Sequence, residues 1–531
     1  MKKLLLLFNT VKFLKPIQVY YRLYYFARKR FRKLTGFQYP LSVVSRSIPL
    51  KLIPSIPSYP ALDENTFTFL NLPHTFDNGI DWNFSEYGKL WTYNLTYFDY
   101  LQQEGMTKEK GLELIDDFIE KIESHKDALE PFPISLRGIN WVKFLTQHQI
   151  KDQKTDDCLY AQYRILMDNL EYHLLGNHLL ENGFSLLFGA YYFQDEALYV
   201  KATEILKTEL EEQILDDGAH FELSPMYHQI MLFRVIDCLN LVQNNRWVVD
   251  SEWLMDLLRE KSEKMIGWLN LITFENGDIP LFNDSANGIA PTIGQLKEYA
   301  LYLNSTFNIQ NSKLKDSGYR KFKTSNYECI IDIGPIGPDY IPGHAHADTF
   351  NFELHLTPIQ NSTFKIQHSM KVPFIVDTGL STYETNERRM TERGTAAHNT
   401  VEVNGTDSSE VWGGFRVAER ATVIIKEESD TKIVASHDGY RKKFGIIHTR
   451  EWIFEEDRII IKDRLNKPAH AVARLHFHPD VTEKMILNHI KIQNSKFKIQ
   501  NYKYAPKFNT LVNALMLEIP FEDEITMEIH V

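Results

Sequence analysis

Apolar residues recur at the spacing of amphipathic helices from about residue 81 to residue 303 of this chain. Turn-forming sequences such as Asp216-Asp217-Gly218 separate these segments. The pattern predicts helices at Lys108–Ser124, Tyr160–Leu174, Phe184–Tyr192, Ala197–Ile214, Met231–Val242 and Trp253–Leu271. Helices of this length in series are typical of an all-α array, which is either an open solenoid or a closed toroid.

Beyond about residue 321 the pattern changes to short segments in which polar and apolar residues alternate. Strands are predicted at Glu328–Ile333, Thr349–Leu356, Phe374–Asp377, Thr400–Val403, Ala421–Glu427, Lys432–Ser436, Thr449–Glu455, Arg458–Leu465 and Arg474–His478. Regularly spaced strands with turn residues between them predict an antiparallel sandwich. We therefore expect a multidomain α and β protein with an N-terminal lead-in (1–80), a helical domain (81–315) and a β-sandwich (316–531).

One polar motif, rich in Asn, Gln and Lys, occurs three times, at Asn304–Lys313, Ile359–Ser369 and Ile492–Asn501. The copies separate apolar segments, so we interpret them as insertions at loop tips. The second copy predicts an extended hairpin between Leu356 and Val372.

Composition narrows the class of protein. With 531 residues, 43% hydrophobic and 24% charged, the chain has the composition of a soluble globular protein of two or three domains. The net charge of −11 argues against broad nucleic-acid binding. Cys158, Cys238 and Cys329 lie far apart, so they predict neither a disulfide framework nor a thiolate zinc site.

The N-terminus begins like a signal peptide, MKKLLLLFNTV, but its apolar run is short and no small-residue cleavage site follows. Gln18–Lys33 is basic and aromatic and contains no acidic residue. Such a segment suits either an anionic membrane surface or the acidic body of the protein itself. Localisation stays open between the cytoplasm, the membrane periphery and the cell envelope, and no pattern predicts the oligomeric state.

The segment GHAHADTFNFELHL, which starts at Gly343, has the alternation of a strand. On a strand, residues two apart share a face, so His344, His346 and Asp348 are expected to project together. Two imidazoles and a carboxylate suit a divalent metal or an acidic substrate. The alternative is a group of hydrogen-bonded histidines at a domain boundary.

Two further polar clusters lie on predicted helices. In GNHLLEN, helical spacing places His178 and Glu181 on one face and makes Asn177 a neighbour of Glu181. Such groups are costly to bury without partners, which favours a cleft, although Asn177 could instead cap the helix. In DGAHFELSPMYH, Pro225 interrupts the helical pattern just before Tyr227, whose phenol faces either the core or a cleft.

Five blocks occur in the same order as in the heparinase II/III superfamily of polysaccharide lyases, which includes alginate-lyase-like relatives. The blocks are GNHLLEN, DGAHFELSPMYH, GHAHADTFNFEL, FIVDTG and RGTAAHNTVEVNGTDSSEVWGGFRVAERA. The chain resembles this superfamily from roughly Arg137 to its C-terminus. The resemblance implies an incomplete (α/α) toroid followed by an antiparallel β-sandwich, and β-elimination at a uronic acid of an anionic polysaccharide.

The chemistry of β-elimination explains the residue types of these blocks. Donors must bind the uronate carboxylate so that the C5 proton becomes acidic, a base must remove that proton, and an acid must protonate the leaving oxygen. The resemblance implies that Tyr227 is base, acid or both. It also implies that His344 neutralises the carboxylate together with Asn177 or His178, and that Glu181 lies beside the substrate.

The resemblance further implies a structural zinc ion bound by His346, Asp377 and His398, a ligand set that zinc accepts. Other residues are of types that bind or stack on sugars, and His228 is included because it adjoins Tyr227. This predicted sugar-binding set is Trp91, Tyr93, Asn94, Arg137, Asn140, Trp141 and His228.

Two alternative functions stay open from the sequence. A toroid-fold glycoside hydrolase would need two carboxylates flanking the bond, for which Glu181 and Glu222 are available. A non-catalytic glycan-binding protein of surface-polysaccharide assembly, for a capsule or an exopolysaccharide, would fit the basic N-terminus.

Overall fold

Helices fill the first part of the molecule and antiparallel sheets the second, in a computed structural model that describes residues 2–40, 43–44, 46–247, 251–304, 307, 313–357, 370–493 and 495–531. The helices of the first part are α1 (Lys2–Val11), α2 (Pro16–Thr35), α3 (Lys89–Tyr97), α4 (Lys108–Glu120), α5 (Pro131–Gln147), α6 (Gln153–Asp168), α7 (Gly176–Phe193), α8 (Glu196–Gln213), α9 (Pro225–Asn244), α10 (Glu252–Ile272) and α11 (Ile293–Leu303). Three short helices follow: α12 (Glu387–Arg393), α13 (Arg441–Phe444) and α14 (Glu483–His489).

All six predicted helices are present, with shifted ends. Other helices were not predicted from the pattern, and α5 shows why. Its residues from Pro133 to Thr146 are all buried, between α3, α6 and α7. A helix that is buried all round has no polar face, so it lacks the apolar stripe on which the prediction depends.

In the described part of the chain the strands form five separate sheets, in which all neighbouring strands are antiparallel. A small sheet in the lead-in contains β1 (Leu62–Asp63), β2 (Thr66–Phe69) and β3 (Leu72–Thr75). The later strands are β4 (Tyr319–Lys323), β5 (Tyr327–Asp332), β6 (Phe352–Leu356), β7 (Val372–Ile375), β8 (Val401–Val403), β9 (Val411–Trp412), β10 (Arg416–Val417), β11 (Val423–Glu428), β12 (Lys432–His437), β13 (His448–Phe454), β14 (Arg458–Leu465), β15 (Ala471–His476), β16 (Ile490–Gln493), β17 (Lys498–Lys507), β18 (Thr510–Phe521) and β19 (Glu524–His530).

The three large sheets enclose the second hydrophobic core and confirm the predicted β-sandwich. Their strand orders are β4-β5-β6-β7, β17-β18-β15-β8 and β11-β12-β13-β14-β19-β16. The core between them includes Phe350, Trp452 and Phe477, whereas the helices enclose a separate core. The change from helices to strands falls between Leu303 and Tyr319, where the pattern also changes.

The predicted strand at Thr349–Leu356 starts later than expected, at Phe352, and the segment from His344 to Asp348 is an irregular loop. The backbone N–H of His346 donates to Asn283 Oδ1, and that of Ala347 donates to the carbonyl of Arg393. Because these groups bind a side chain and the end of α12 and not a neighbouring strand, the expected strand is wrong, although His344 and His346 both reach the Asp284 carboxylate.

Two of the three polar repeats, at Asn304–Lys313 and Ile359–Ser369, lie largely outside the described residues. The strands that flank the second copy do pair, with Leu356 opposite Val372, so the ends of the predicted hairpin are adjacent. The third copy, Ile492–Asn501, extends from the end of β16 into β17. It therefore contributes to strands and is only partly a loop.

The basic N-terminal segment forms α2, and one face of this helix lies against the helical domain. Arg22 Nε donates to the carbonyl of His173 at 3.1 Å, and Arg28 pairs with Asp168 at 3.0 Å. This contact agrees with the predicted docking on the protein's own body. Within the described ranges, no helix is long and apolar enough to span a bilayer.

Candidate active site

A groove of about 320 Å³ lies where the helical domain meets the sandwich. Helices α5, α7 and α9 supply part of its wall, the lead-in, the α3 region and the segment before α11 supply much of the rest, and Tyr383 and Phe508 line it from the sandwich side. Five sequence-predicted site residues line it, namely Asn94, Asn140, Asn177, Glu181 and Tyr227.

Tyr227 lies in the first turn of α9, where the chain enters the helix through a proline. Ser224 caps the helix by accepting from the Tyr227 backbone N–H at 3.2 Å, and Pro225 occupies the first helical position. The phenol oxygen accepts a hydrogen bond from the Tyr383 hydroxyl at 3.2 Å. Burial raises the pKa of Tyr227 well above its ordinary value, while the Tyr383 hydrogen bond opposes that rise. The phenol is therefore a neutral acid before substrate binds.

His344 packs against Tyr227, with ring centroids 3.8 Å apart, and a buried carboxylate fixes its orientation. His344 Nδ1 donates to Asp284 Oδ2 at 2.9 Å, which leaves Nε2 facing Glu222 Oε2 at 3.9 Å. Only 13% of the side-chain surface of His344 is exposed. The imidazole can therefore present only its Nε2 edge to a ligand.

Asp284 is the centre of this cluster. Its carboxylate receives both terminal nitrogens of Arg389, His344 Nδ1, and His346 Nε2 at 2.8 Å. Burial acts to raise the pKa of Asp284, but Arg389 and the two histidines hold it well below its usual range. A permanently ionised, fully paired carboxylate of this kind is a rigid anchor.

Asn177 is the second residue of α7, and Leu175 precedes the helix, so the alternative role of Asn177 as a helix cap is wrong. Its Nδ2 donates to Glu222 Oε2 at 3.2 Å. Asn177 Oδ1 is buried and, among the described residues, has no hydrogen-bond partner. Burial raises the pKa of Glu222.

His178, the neighbour of Asn177, points elsewhere. Its Nδ1 donates to Glu171 Oε1 at 3.0 Å, and its ring packs on Phe132 with centroids 4.6 Å apart. Burial acts to lower the pKa of His178, but Glu171 outweighs burial and raises it. Of the two adjacent candidates, Asn177 lines the groove and His178 is outside its lining.

Glu181 and Arg234 form a buried ion pair in the groove wall. Arg234 Nε donates to Glu181 Oε1 at 3.3 Å, and Glu181 Oε2 has no partner in the described part of the chain. Burial raises the pKa of Glu181, with Arg234 opposing it. The pair places one cation and one free carboxylate oxygen beside the space that a substrate would occupy.

Four members of the predicted sugar-binding set are core residues, so that assignment is wrong for them. The buried Arg137 donates to the carbonyls of Thr96 and Ala128. Trp91 and Trp141 are fully buried, and so is His228, whose Nε2 binds the Met265 carbonyl at 3.0 Å. Residue type alone does not separate a stacking aromatic from a core aromatic.

The other three members of that set lie nearer the groove. The side-chain amides of Asn94 and Asn140, which line the groove, donate to the carbonyls of Leu90 and Tyr97 at 2.8 and 2.9 Å. The Tyr93 hydroxyl binds Glu130 and is not part of the lining. Asn140 uses both of its amide hydrogens, since it also donates to Asp99, whereas Asn94 keeps one, so a sugar could bind the second Asn94 N–H and the two amide oxygens.

The predicted zinc ligands lie near one another but do not present three free donors. His398 Nδ1 donates to Asp377 Oδ2 at 2.7 Å, and the His346 and His398 rings are 5.3 Å apart. Asp377 Oδ2 also accepts from Asn351 at 2.6 Å. Within the described residues, no group of three His, Cys, Asp or Glu side chains is arranged to hold a metal ion.

Four residues of the site were absent from the sequence prediction: Arg234, Asp284, Arg389 and Tyr383. Asp284 follows the helical region in LFNDSANG, a polar stretch without a motif. Arg389 lies in NERRMTERG, where Arg389 and Arg393 are both fully buried. A group of arginines between two recognised blocks was the only available signal.

Comparison with known proteins agrees with this architecture. Residues 139–310 match the family described as heparinase II/III N-terminus, and residues 309–502 match heparinase II/III-like, C-terminal. A heparin-sulfate lyase from Bacteroides stercoris is 23% identical over 323 residues, which are 58% of this chain and 46% of that protein. The match therefore spans less than half of that relative's length.

Two solved structures share the fold. A heparinase III structure superposes with a TM-score of 0.62 and 16% identity, over 86% of this chain and 80% of that one. A heparan sulfate lyase from Pedobacter heparinus gives a TM-score of 0.54 and 15% identity, over 94% and 86%. These likenesses confirm the expected fold class, a helical toroid followed by a β-sandwich.

Proposed function

Because this chain belongs to the heparinase II/III family, we propose that it is a polysaccharide lyase that cleaves a uronic-acid-containing polysaccharide by β-elimination. One observation carries the proposal: Tyr227, His344 and Asn177 come from three separate segments and lie close together, with Tyr227 and Asn177 in the lining of the groove and His344 packed on Tyr227. These are the residue types that elimination needs, a proton-transfer group and two donors for a carboxylate.

Glu222 lies between the two donors, at the position that we propose for the substrate carboxylate. Asn177 Nδ2 and His344 Nε2 approach the same Glu222 oxygen, at 3.2 and 3.9 Å. Because His344 already donates from Nδ1 to Asp284, it can donate from Nε2 as well only as an imidazolium. A uronate carboxylate bound by that N–H and by Asn177 Nδ2 would have its charge reduced, so the C5 proton becomes more acidic. Asn177, and not His178, is the proposed partner of His344, because His178 is bound to Glu171.

Tyr227 is the proposed proton-transfer group. As a neutral phenol it can protonate the departing glycosidic oxygen. As a base it must become phenolate, which the Tyr383 hydroxyl stabilises by donating to the phenol oxygen and which Arg389 favours by its charge. In elimination the C5 proton leaves before or together with the glycosidic oxygen, so a Tyr227 that performs both roles takes the C5 proton as phenolate and then gives it to that oxygen.

The two alternative functions are less well supported. A hydrolase needs two carboxylates free to flank the bond, whereas Glu181 is paired with Arg234 and Glu222 with Asn177. A binding protein without catalysis would not need a tyrosine packed on a carboxylate-anchored histidine.

The test is a panel of uronate polymers (heparan sulfate, alginate and bacterial exopolysaccharides) assayed by ultraviolet absorbance of the unsaturated product. The matched control is whichever polymer the protein cleaves, tested after its carboxylates have been reduced to alcohols. We expect absorbance with at least one uronate polymer and none with its reduced form. New reducing ends without ultraviolet absorbance would identify a hydrolase, and cleavage of the reduced polymer would reject elimination.

We also propose a structural zinc ion held by His346 and His398, with Asp377 supporting His398. The buried atoms His346 Nδ1 and His398 Nε2 have no partner in the described part of the chain, and each ring binds a carboxylate through its other nitrogen. This is the outer-shell arrangement usual for zinc-binding histidines. Elemental analysis should find about one zinc ion per chain, and His398→Ala should lose it together with thermal stability. Metal-free protein with unchanged melting would contradict the proposal.

A further inference from the structure

The first two helices expose an unusual amount of apolar surface. Leu4 and Phe8 of α1 and Leu23, Phe26, Phe31 and Leu34 of α2 all project into solvent, with Leu34 86% and Leu4 72% exposed. We call these six residues, together with Lys29, Arg30 and Lys33, the N-terminal face. Exposed apolar patches of this kind usually mark a binding surface.

Polar contacts fix both helices to the body of the protein. On α2, Gln18, Arg22 and Tyr25 donate to the carbonyls of Leu174, His173 and Leu170. On α1, Thr10 Oγ1 accepts from Trp412 Nε1 at 3.1 Å, and Lys12 pairs with Glu419 at 3.1 Å. The α2 contacts recur at helical spacing, and Leu23, Phe26, Phe31 and Leu34 lie away from them, each more than half exposed.

Charge on these helices is strongly one-sided. Residues 1–37 contain ten of the 59 Lys and Arg residues and none of the 70 Asp and Glu residues, which gives +10, against −21 for the other 494 residues. Within the described residues, no acidic side chain forms an ion pair with Lys29, Arg30 or Lys33. The N-terminal face therefore combines apolar side chains with unneutralised cations.

We propose that the N-terminal face binds the surface of a bilayer that contains anionic phospholipids, with both helices lying in the interface. Apolar side chains enter the boundary of the acyl chains while Lys and Arg meet the headgroups. A second copy of the chain fits less well, because a two-fold contact would bring Lys29, Arg30 and Lys33 of both copies together. Neither helix is apolar enough to cross the membrane.

Membrane binding through this face would also hold the groove near the lipid surface. Gln18 Nε2 donates to the carbonyl of Leu174, which immediately precedes Leu175 and α7. It also lies 3.4 Å from the carbonyl of Tyr340, at the start of the loop that carries His344. The face is thus tied to both segments that form the proposed site, which suits a polymer found at a membrane.

Co-sedimentation of the full chain with vesicles tests this proposal. One set of vesicles contains equal parts of phosphatidylglycerol and phosphatidylcholine, and the other contains phosphatidylcholine alone. We expect the protein to sediment with the first set and to stay in solution with the second. High salt should release it, because attraction between exposed charges is screened.

Two variants and two matched controls identify the surface. The apolar variant is Leu23→Ser, Phe26→Ser, Phe31→Ser, and its control is Val200→Ser, Tyr302→Ser, Ile424→Ser, three equally exposed positions elsewhere. The charge variant is Lys29→Gln, Arg30→Gln, Lys33→Gln, and its control is Lys207→Gln, Lys426→Gln, Lys498→Gln, three exposed lysines elsewhere. The charge variant should bind about a hundredfold more weakly, since each basic residue near an anionic surface contributes about a fivefold factor.

The outcomes separate this proposal from the proposed enzymatic function. Loss of vesicle binding in both variants but in neither control, with unchanged cleavage of soluble polymer, would support it. Absence of binding to anionic vesicles would overturn it even if the enzyme is fully active. Dimerisation in sedimentation velocity that the same substitutions abolish, without vesicle binding, would identify a second copy as the occupant and would also overturn it.

Discussion

Burial determines the chemistry of the polar side chains around Tyr227. The pKa of Tyr227, Glu181 and Glu222 is raised because burial disfavours their charged forms. Asp284 is the exception, since Arg389 and two histidines hold its pKa far down. The site therefore contains one permanent anion, Asp284, which orients His344. It also contains Tyr227, Glu181 and Glu222, whose protonation depends on the charge of a bound group.

Glu222 should make substrate binding depend on pH. Its ionised form repels a uronate carboxylate, and its pKa is raised, so KM should be low below that pKa and should rise as pH increases through it. Glu222→Gln keeps an acceptor for Asn177 but removes the charge. We expect this variant to hold the low KM at high pH, as measured from initial rates across the pH range.

The control for this experiment is Glu209→Gln. Burial raises the pKa of Glu209 to about 7, yet its contact is with Gln213 on α8, away from the groove. It should keep the pH dependence of the native enzyme. An unchanged pH dependence of KM in Glu222→Gln would show that the substrate carboxylate does not approach Glu222.

At the scale of single residues, the sequence predicts which side chains belong to the site better than it predicts whether a side chain is buried or exposed. Tyr227 and Asn177 line the groove, and His344 packs on Tyr227, as the motifs implied. By contrast, Trp91 and Trp141 are of a residue type that stacks on sugars, but both are buried in the core. Exposure depends on contacts between distant segments, so a local pattern does not determine it.

Elements of regular amphipathic pattern were predictable, and the elements that hold the site together were not. Helices α7 and α9 could be predicted because their apolar residues recur at helical spacing. The segment with His344 was predicted as a strand because its polar and apolar residues alternate. In the structure its backbone N–H groups donate to Asn283 and Arg393. Helix α12 is only seven residues long, yet it supplies Arg389 to Asp284.

Arg389→Lys should show that α12 positions His344. Lysine keeps the charge but loses the two-pronged contact with Asp284 and the Nε bond to the Gly414 carbonyl. We expect kcat to fall about tenfold to a hundredfold with little change in KM, because a small displacement of a reacting group is enough to slow the step. Steady-state kinetics measure both constants.

Arg388→Lys is the matched control, because Arg388 lies on the same helix and pairs with Glu392, whereas Arg389 pairs with Asp284. Its kcat should stay close to the native value. If Arg389→Lys and Arg388→Lys have the same kcat, Arg389 does not position the site.

At the scale of the whole molecule, the order of domains and the fold class could be predicted, because each domain has its own hydrophobic period. Their joint site could not, since it combines Asn177 and Tyr227 from the helices with His344 and Arg389 from the sandwich. The two cores are separate, so the site persists only while both are folded.

Asp463→Asn should therefore destabilise the sandwich and, through it, the site. Asp463 is fully buried and binds Arg450 through both carboxylate oxygens and His448 at 2.7 Å. Removing its charge leaves Arg450 buried without a charged partner, so we expect the free energy of unfolding to fall by about 3–5 kcal/mol. Denaturant titration of the sandwich transition measures the change.

The pH dependence has a definite sign. Arg450 and His448 overcome the effect of burial and lower the pKa of Asp463, so its contribution is present above about pH 3.9, its unfolded value, and is lost as pH falls through the folded value. The control, Glu524→Gln, breaks the exposed Arg464–Glu524 pair and should cost under about 0.5 kcal/mol. Equal effects of the two substitutions would contradict this account.

The most direct test of the central claim is single-turnover cleavage by Tyr227→Phe, followed by ultraviolet absorbance of the unsaturated uronate. Phenylalanine keeps the ring that packs on His344 and removes the group that exchanges a proton. We expect a folded protein that binds polymer with native affinity and forms product at least about a hundredfold more slowly. Product formation at a near-native rate would contradict the account and would make Tyr383, the hydrogen-bond partner of Tyr227, the next candidate.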